Sequence, residues 1–259
     1  MKKTLLTICL VWMCFSLSAQ KIIDLSGKWS FSIDRQDNGE KEKWFSHTLN
    51  DFINLPGSMP EKLKGDEVTA KTQWTGSLYD SSYYYNPYME KYRKEGNIKF
   101  PFFLTPDKHY VGAAWYQKEV NIPADWKGER ILLFLERPHI ETTVWVNGQK
   151  TGIQNSLCVP HQYDITRYVR PGKCTITIRV DNRIKEINVG PDSHSITDQT
   201  QGNWNGIVGR ICLQTTPKTY FDDIQIYPEP EQKLARVKVV IKGTGTAKVK
   251  LSAESFNNG

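Results

Sequence analysis

Helical periodicity is nearly missing from this 259-residue chain. Apolar residues do not recur at three- and four-residue intervals over any long window, which argues against folds built on amphipathic helices. Metal and redox chemistry also lack their usual spacings. There is no Cys-x-x-Cys pair and no His-Glu-x-x-His helix, and no Gly-x-Ser-x-Gly elbow for a serine nucleophile. Gly243-Thr244-Gly245 lacks the third glycine and the helix of a phosphate loop. The five histidines, His47, His109, His139, His161 and His194, are scattered, and only His109 and His194 fall near candidate ligand surface. Neither a metal nor a cofactor is expected. The formal net charge of +6 is not concentrated in a basic cluster interleaved with aromatics, and Lys91 to Lys94 is a short mixed-charge run. Nucleic acid is therefore a poor partner for it.

No apolar run is long enough to span a membrane. Lys2 and Lys3 precede an apolar stretch from Leu5 to Phe15, then Ser16-Leu17-Ser18-Ala19 and Gln20. That is the layout of a secretory signal peptide over residues 1–19, cleaved after Ala19. Neither Cys9 nor Cys14 follows the small residue that a lipid-attachment box needs, so the expected product is soluble and periplasmic, in a Gram-negative bacterium. Cleavage leaves about 240 residues, enough for one large or two modest domains. Of the five cysteines, Cys158, Cys174 and Cys212 survive it. An odd number cannot pair completely, and Cys174 and Cys212 sit in apolar runs where a small core hydrophobe fits better than a disulfide partner.

What the chain does contain is β-structure. Alternating and β-branched runs predict strands at Lys28–Ile33, Ala114–Ile122, Arg130–Leu135, Thr142–Val146, Thr175–Asp181, Ile207–Gln214, Asp222–Tyr227, Arg236–Ile241 and Ala247–Ser252. Asn147-Gly148 supplies a two-residue hairpin turn because both residues tolerate positive φ. Pro171-Gly172 supplies another turn. Many short strands between turn residues make an all-β, two-sheet sandwich.

Residues 60 to 110 break the pattern. They carry Trp74, Tyr79, Tyr83, Tyr84, Tyr85, Tyr88, Tyr92, Phe100, Phe102, Phe103 and Tyr110 with Pro87, Pro101 and Pro106. An insertion this long is expected to fold over the sandwich or against a neighbour. Its rings suit pinning the loop down, a protein interface, or a sugar platform.

The most informative segment is Ser195 to Leu213, SITDQTQGNWNGIVGRICL. Thr197 to Asn203 holds no aliphatic side chain and runs directly into Trp204. Amides, hydroxyls and a carboxylate in front of an indole offer bidentate hydrogen bonding plus a flat apolar face, as a sugar ring requires. A turn whose tryptophan packs into the core accounts for the same residue types.

Asn203-Trp204-Asn205-Gly206-Ile207-Val208-Gly209-Arg210 resembles the signature that closes the N-terminal sugar-binding domain of glycoside hydrolase family 2, which includes β-galactosidases, β-glucuronidases and β-mannosidases. Ala114 to Val120, Val144 to Gly148, Gln162 to Thr166 and Thr177 to Asn182 agree with it in order and spacing, so the resemblance covers roughly residues 22 to 217. It implies a jelly-roll-like, galactose-binding-domain-like sandwich over residues 20–217. It also implies that 218–259 opens an immunoglobulin-like sandwich, a fold of about seven strands, which leads in the family to a catalytic barrel.

The family's two glutamates, retaining in mechanism, lie on that barrel, the first directly after an asparagine. No Asn-Glu dipeptide occurs here, and the glutamates lie mostly beside Lys or Arg, as on solvated surface. This chain alone is thus expected to be inactive, with the missing barrel of the parent protein as its partner. Family members whose sandwich reaches the active site offer an aspartate six residues before the Gly-Ile pair. Here that position is Thr200, with Asp198 two residues earlier. The resemblance thus implies that Asp198, Thr200, Asn203 and Trp204 line one wall of a β-glycoside site, in a parent enzyme that is β-galactosidase-like. A free-standing carbohydrate-binding module and an interaction protein docking through the tyrosine-rich insertion are the alternative readings.

Overall fold

The computed structural model describes residues 21–76, 81–185, 190–243 and 248–254. The expected signal peptide, residues 1–19, lies outside them. The strands are β1 (Ile22–Asp24), β2 (Gly27–Asp34), β3 (Asp51–Leu55), β4 (Gly57–Ser58), β5 (Asp66–Glu67), β6 (Lys108–His109), β7 (Ala113–Ile122), β8 (Arg130–Pro138), β9 (Glu141–Val146), β10 (Gln149–Asn155), β11 (His161–Asp164), β12 (Gly172–Asp181), β13 (Gly206–Thr216), β14 (Tyr220–Glu229) and β15 (Leu234–Lys242). One short helix, α1 (Ser82–Tyr85), sits in the aromatic insertion.

Two antiparallel sheets form the sandwich. One has the order β10-β9-β12-β7-β2-β3, and the other β1-β13-β8-β11 with β4 alongside β13. The period-two pattern decides what lies between them. From β7, Ala114, Tyr116, Val120 and Ile122 point inward, as do Cys174, Ile176, Ile178 and Val180 from β12. Leu133 and Leu135 of β8 and Ile211 and Leu213 of β13 meet them from the opposite sheet. Cys174 and Cys212 are buried free thiols, and burial pushes the Cys174 thiol up to about 11.

The six-stranded sheet is covered on its outer face as well. Trp115 and Trp145 point away from the main core and stack on each other at 4.9 Å between centroids. The segment after β2 folds back over them, so that Phe45 stacks on Trp145 at 5.2 Å and Leu49 is buried. Asp34 fixes the start of this cover. Its carboxylate accepts the Asn38 and Gly39 amides and the Trp115 indole N–H, each at 2.9 Å.

Each expected strand from Lys28–Ile33 to Arg236–Ile241 falls within an observed one, whereas β1, β3, β4, β5, β6 and β11 lie outside the expected set. Asn147 and Gly148 both have positive φ (50° and 76°), and Gln149 pairs with Val146, as a two-residue hairpin demands. One expected strand is not formed. Residues 248–252 carry no strand, and Ala247 lies outside the described residues. Among the described residues no strand lies beside them to pair with. β14 and β15 form a separate two-stranded sheet that exposes Phe221, Ile224 and Ile226.

Inside the sandwich, His161 is fully buried, with Nδ1 2.6 Å from the Thr142 hydroxyl. Burial lowers its pKa from 6.5 to about 4. Between those values the unfolded chain binds a proton that the folded chain refuses. The stability from this group is therefore complete above pH 6.5 and is lost as the pH falls toward 4. On the outer face, burial raises Asp181, but hydrogen bonds from Arg183 and Lys185 and the charge of Arg179 overcome it and hold the carboxyl well below the usual range. Its contribution disappears only below about pH 4, outside the histidine window. Unfolding free energies from urea titrations across pH 6.5 to 4 should fall for the wild type by at most about 3 kcal/mol from His161. The decline should be shallower in His161→Gln. Equal slopes in the two proteins would show that His161 takes up its proton without penalty.

Candidate functional site

The polar loop before β13 is organised by one carboxylate. Asp198 is 2% exposed. The Thr75 amide donates to one of its oxygens and the Asn203 amide to the other, each at 2.7 Å. His109 Nε2 lies 3.2 Å from the oxygen that Thr75 also uses. The Asp198 amide in turn donates to the Thr75 carbonyl at 3.0 Å, and the Thr197 hydroxyl donates to the same carbonyl at 3.2 Å. A carboxylate taken out of water needs such donors, because an unpaired buried charge is costly.

Asn203 completes the junction. Its amide nitrogen donates to the Thr75 hydroxyl and to the Asn182 carbonyl, both at 3.0 Å, while its own Oδ1 is buried without a partner. Beneath it, Asn205 donates to the Gly112 and Val180 carbonyls and accepts from the Tyr116 hydroxyl at 2.8 Å. Asn182 accepts the Gly112 amide and donates to the Tyr110 carbonyl. Gly206 follows at φ 147°, where a Cβ would stand 2.5 Å from the Gly57 carbonyl oxygen. Only glycine lets β4 come this close to β13.

Of the four residues expected to line a sugar site, the structure thus brings Asp198 and Asn203 together below the surface. Thr200 and Trp204 are half-buried. The Thr200 hydroxyl donates to the His194 carbonyl at 2.7 Å. The Trp204 indole stacks on His139 at 4.5 Å and 16°, and His139 Nδ1 donates to the Trp204 carbonyl at 2.7 Å. Burial lowers the His139 pKa against the raising effect of that hydrogen bond, which favours the neutral ring. Among the described residues no group of three or more His, Cys, Asp or Glu could hold a metal ion.

Several contributors escaped the sequence reading. Thr75 lies more than 120 positions from Asp198 and Asn203 and had no local signal, whereas its neighbour Trp74 is among the rings that the sequence singles out. The insertion that carries them packs as an aromatic cluster. Trp74 meets Phe100, Phe102 and His109 edge-on at 4.7–5.1 Å, and Tyr83 lies against Phe100 at 4.7 Å. The insertion also reaches the polar loop through the Phe103 amide, which donates to the Gln199 carbonyl at 3.1 Å.

Replacing Asp198 with asparagine should place an amide N–H against one of two backbone N–H donors. A loss of about 2–4 kcal/mol in unfolding free energy is expected. Hydrogen exchange should accelerate at Thr75 and Asn203, with the β9–β10 hairpin unchanged. Unaltered protection at those two amides would show that the carboxylate is not what joins the segments.

Comparison with known proteins bears on this geometry. A family model described as the sugar-binding domain of glycosyl hydrolases family 2 matches residues 22–217. Human β-glucuronidase is 24% identical, over 88% of this chain and 34% of its own length. The β-glucuronidase of Paenibacillus borealis is 25% identical, over 80% of this chain and 31% of its own. The chain therefore spans about a third of the length of the curated relatives it matches. Among solved structures, the Ruminococcus gnavus β-glucuronidase in complex with D-glucaro 1,5-lactone aligns with a TM-score of 0.58 at 18% identity, covering 87% of this chain and 34% of that one. A β-glucuronidase from an uncultured Clostridium sp. aligns at 0.57 and 21%, covering 86% and 34%. Both share the fold. The chain belongs to glycosyl hydrolase family 2, and residues 22–217 are its sugar-binding domain.

Proposed function

We propose that this chain is the N-terminal carbohydrate-binding and scaffolding portion of a secreted family 2 β-glycosidase. In this reading, residues 1–19 direct export to the periplasm and 20–217 form the sugar-binding sandwich. Residues 218–259 begin an immunoglobulin-like domain, whose further strands cover the apolar residues of β14 and β15. The catalytic glutamates belong to a barrel further along the same polypeptide. Because the relatives named above are β-glucuronidases, a β-glucuronide takes precedence over the β-galactoside that the motifs first suggested.

The observation that carries this reading is the polar loop at residues 195–204. Its half-exposed members, Thr200 and Trp204, are held in fixed relation by the buried pair Asp198 and Asn203. The partly exposed indole supplies an apolar face, and Thr200 an oxygen that accepts while its proton is engaged by His194. Asp198 acts here as a positioning group, since both its oxygens already receive protein donors.

One wall of a pocket makes few contacts, so binding by the chain alone is weak, with a Kd of about 1 mM or higher. Titration of isotope-labelled chain with methyl β-D-glucuronide should shift the amide signals of Thr200, Asn203 and Trp204, and Trp204→Ala should abolish the shifts. The same preparation should not hydrolyse 4-nitrophenyl β-D-glucuronide, β-D-galactoside or β-D-mannoside above a heat-killed control. Turnover of any of them, or a complete lack of shifts with glucuronide and galactoside alike, overturns the reading.

A further inference from the structure

The aromatic insertion buries Tyr83 and Phe100 and exposes Tyr84, Tyr85, Tyr88 and Phe103, and of these exposed rings Phe103 belongs to the residue bonded to the polar loop. Phe100 is 7% exposed, and Phe102 stacks on it at 5.5 Å while meeting Trp74 edge-on at 5.1 Å. Phe103, the next residue, is 82% exposed, and Leu104 is 68% exposed. The chain bends at residues 101–103, and with Phe102 seated in the cluster the next side chain is left in solvent. The Phe103 amide donates to the carbonyl of Gln199, which lies between Asp198 and Thr200 in sequence. The exposed ring is therefore attached directly to the loop on which the candidate sugar wall stands. That attachment is firm on both sides, because Thr75 and His109 hold the insertion to the Asp198 carboxylate.

We propose that Phe103, with Leu104 beside it, is an aglycone platform: it receives the flat, apolar leaving group of a β-glycoside whose sugar ring lies against Thr200 and Trp204. This rests on the sugar-wall reading above and adds the class of aglycone. The chemistry of the pair selects an apolar aglycone over a second sugar. A sugar subsite combines a ring with hydrogen-bonding side chains, as the Asn203-Trp204 segment does. Phe103 and Leu104 offer apolar surface and no side-chain donor or acceptor. A phenyl face does stack well on another aromatic ring, in offset or edge-on geometry. Phe103 touches only the leaving group here, so it sets preference among substrates and takes no part in bond cleavage.

The test compares matched ligands on the full chain. Dissociation constants are measured by NMR titration for methyl and 4-nitrophenyl β-D-glucuronide, and for the corresponding galactosides. The nitrophenyl compound should bind about threefold to tenfold tighter than its methyl counterpart. Phe103→Ala should bring that ratio to one without changing methyl glycoside affinity, and Phe103→Trp should keep it. Thermal unfolding of Phe103→Ala should stay close to the wild type, since the residue is 82% exposed. Methyl glycosides that bind, with aryl compounds no tighter or with a ratio that survives Phe103→Ala, overturn the platform and leave the sugar wall standing. If no glycoside of either kind binds, the wall and the platform fall together.

Discussion

The Asp198 carboxylate is the constraint on which the candidate site depends. Taking an ionised group out of water is expensive, and the expense is met only if donors converge on both oxygens. In this chain two donors are backbone amides from segments more than 120 positions apart, and the third group is a histidine from β6. Satisfying one side chain therefore closes the polar loop into a turn, lays residues 74–76 along it, and draws the end of the insertion inward. No single apolar contact in the region has that reach. Aromatic packing of Trp74, Phe100 and Phe102 can then fill the space that the carboxylate has defined, since dispersion contacts follow geometry more readily than they set it.

Asp34 repeats the device elsewhere in the sandwich. It too is buried, and it too gathers backbone amides from an irregular segment, adding the Trp115 indole. The result is a six-stranded sheet covered on both faces, with a small aromatic cluster outside and the main apolar core inside. A sheet held this way has little freedom to change its twist, which makes it a stable mount for loops at its ends. The two carboxylates thus divide the work of a scaffold. One closes the sandwich, and the other fixes what the sandwich presents.

Much of the sandwich was legible in the sequence, for a physical reason. Alternation in Ala114–Ile122 and Thr175–Asp181 reports directly which residues face the core, and Asn147-Gly148 announces its own turn. β3 and β11 were missed because they are short, and their partners rather than their own residue types hold them in place. The strand expected over Ala247–Ser252 had suitable residues and, among the described residues, no neighbour to pair with. At the site, the local segment from Thr197 to Trp204 was visible as a polar run meeting an indole. The inward orientation of Asp198 was not. It is decided by Thr75 and His109, and a contact across such separation leaves no periodic trace in one sequence. The same holds for His139, whose stacking on Trp204 depends on the pairing of β13 with β8.

The two carboxylate anchors differ in what they leave unmet. Both Asp34 oxygens and the Trp115 indole N–H beside them find partners. At the Asp198 junction two buried atoms do not: Asn203 Oδ1, an acceptor, and Trp74 Nε1, a donor. Each flanks Thr75, the first because its amide nitrogen binds the threonine hydroxyl and the second through chain adjacency. A buried polar atom left alone costs about 1–3 kcal/mol. Asn155 Oδ1 and His161 Nε2 are likewise buried without a partner, so unmet polarity also occurs inside the sandwich, away from this junction. A hydroxyl is the small group that both donates and accepts, and it is the group that sugars carry in excess. In the proposed reading, the groups open to such a hydroxyl are the half-exposed Thr200 and Trp204, whereas the two orphans beside Thr75 are buried. Thr200 and Trp204 together would then offer a polyhydroxylated ring one polar and one apolar contact.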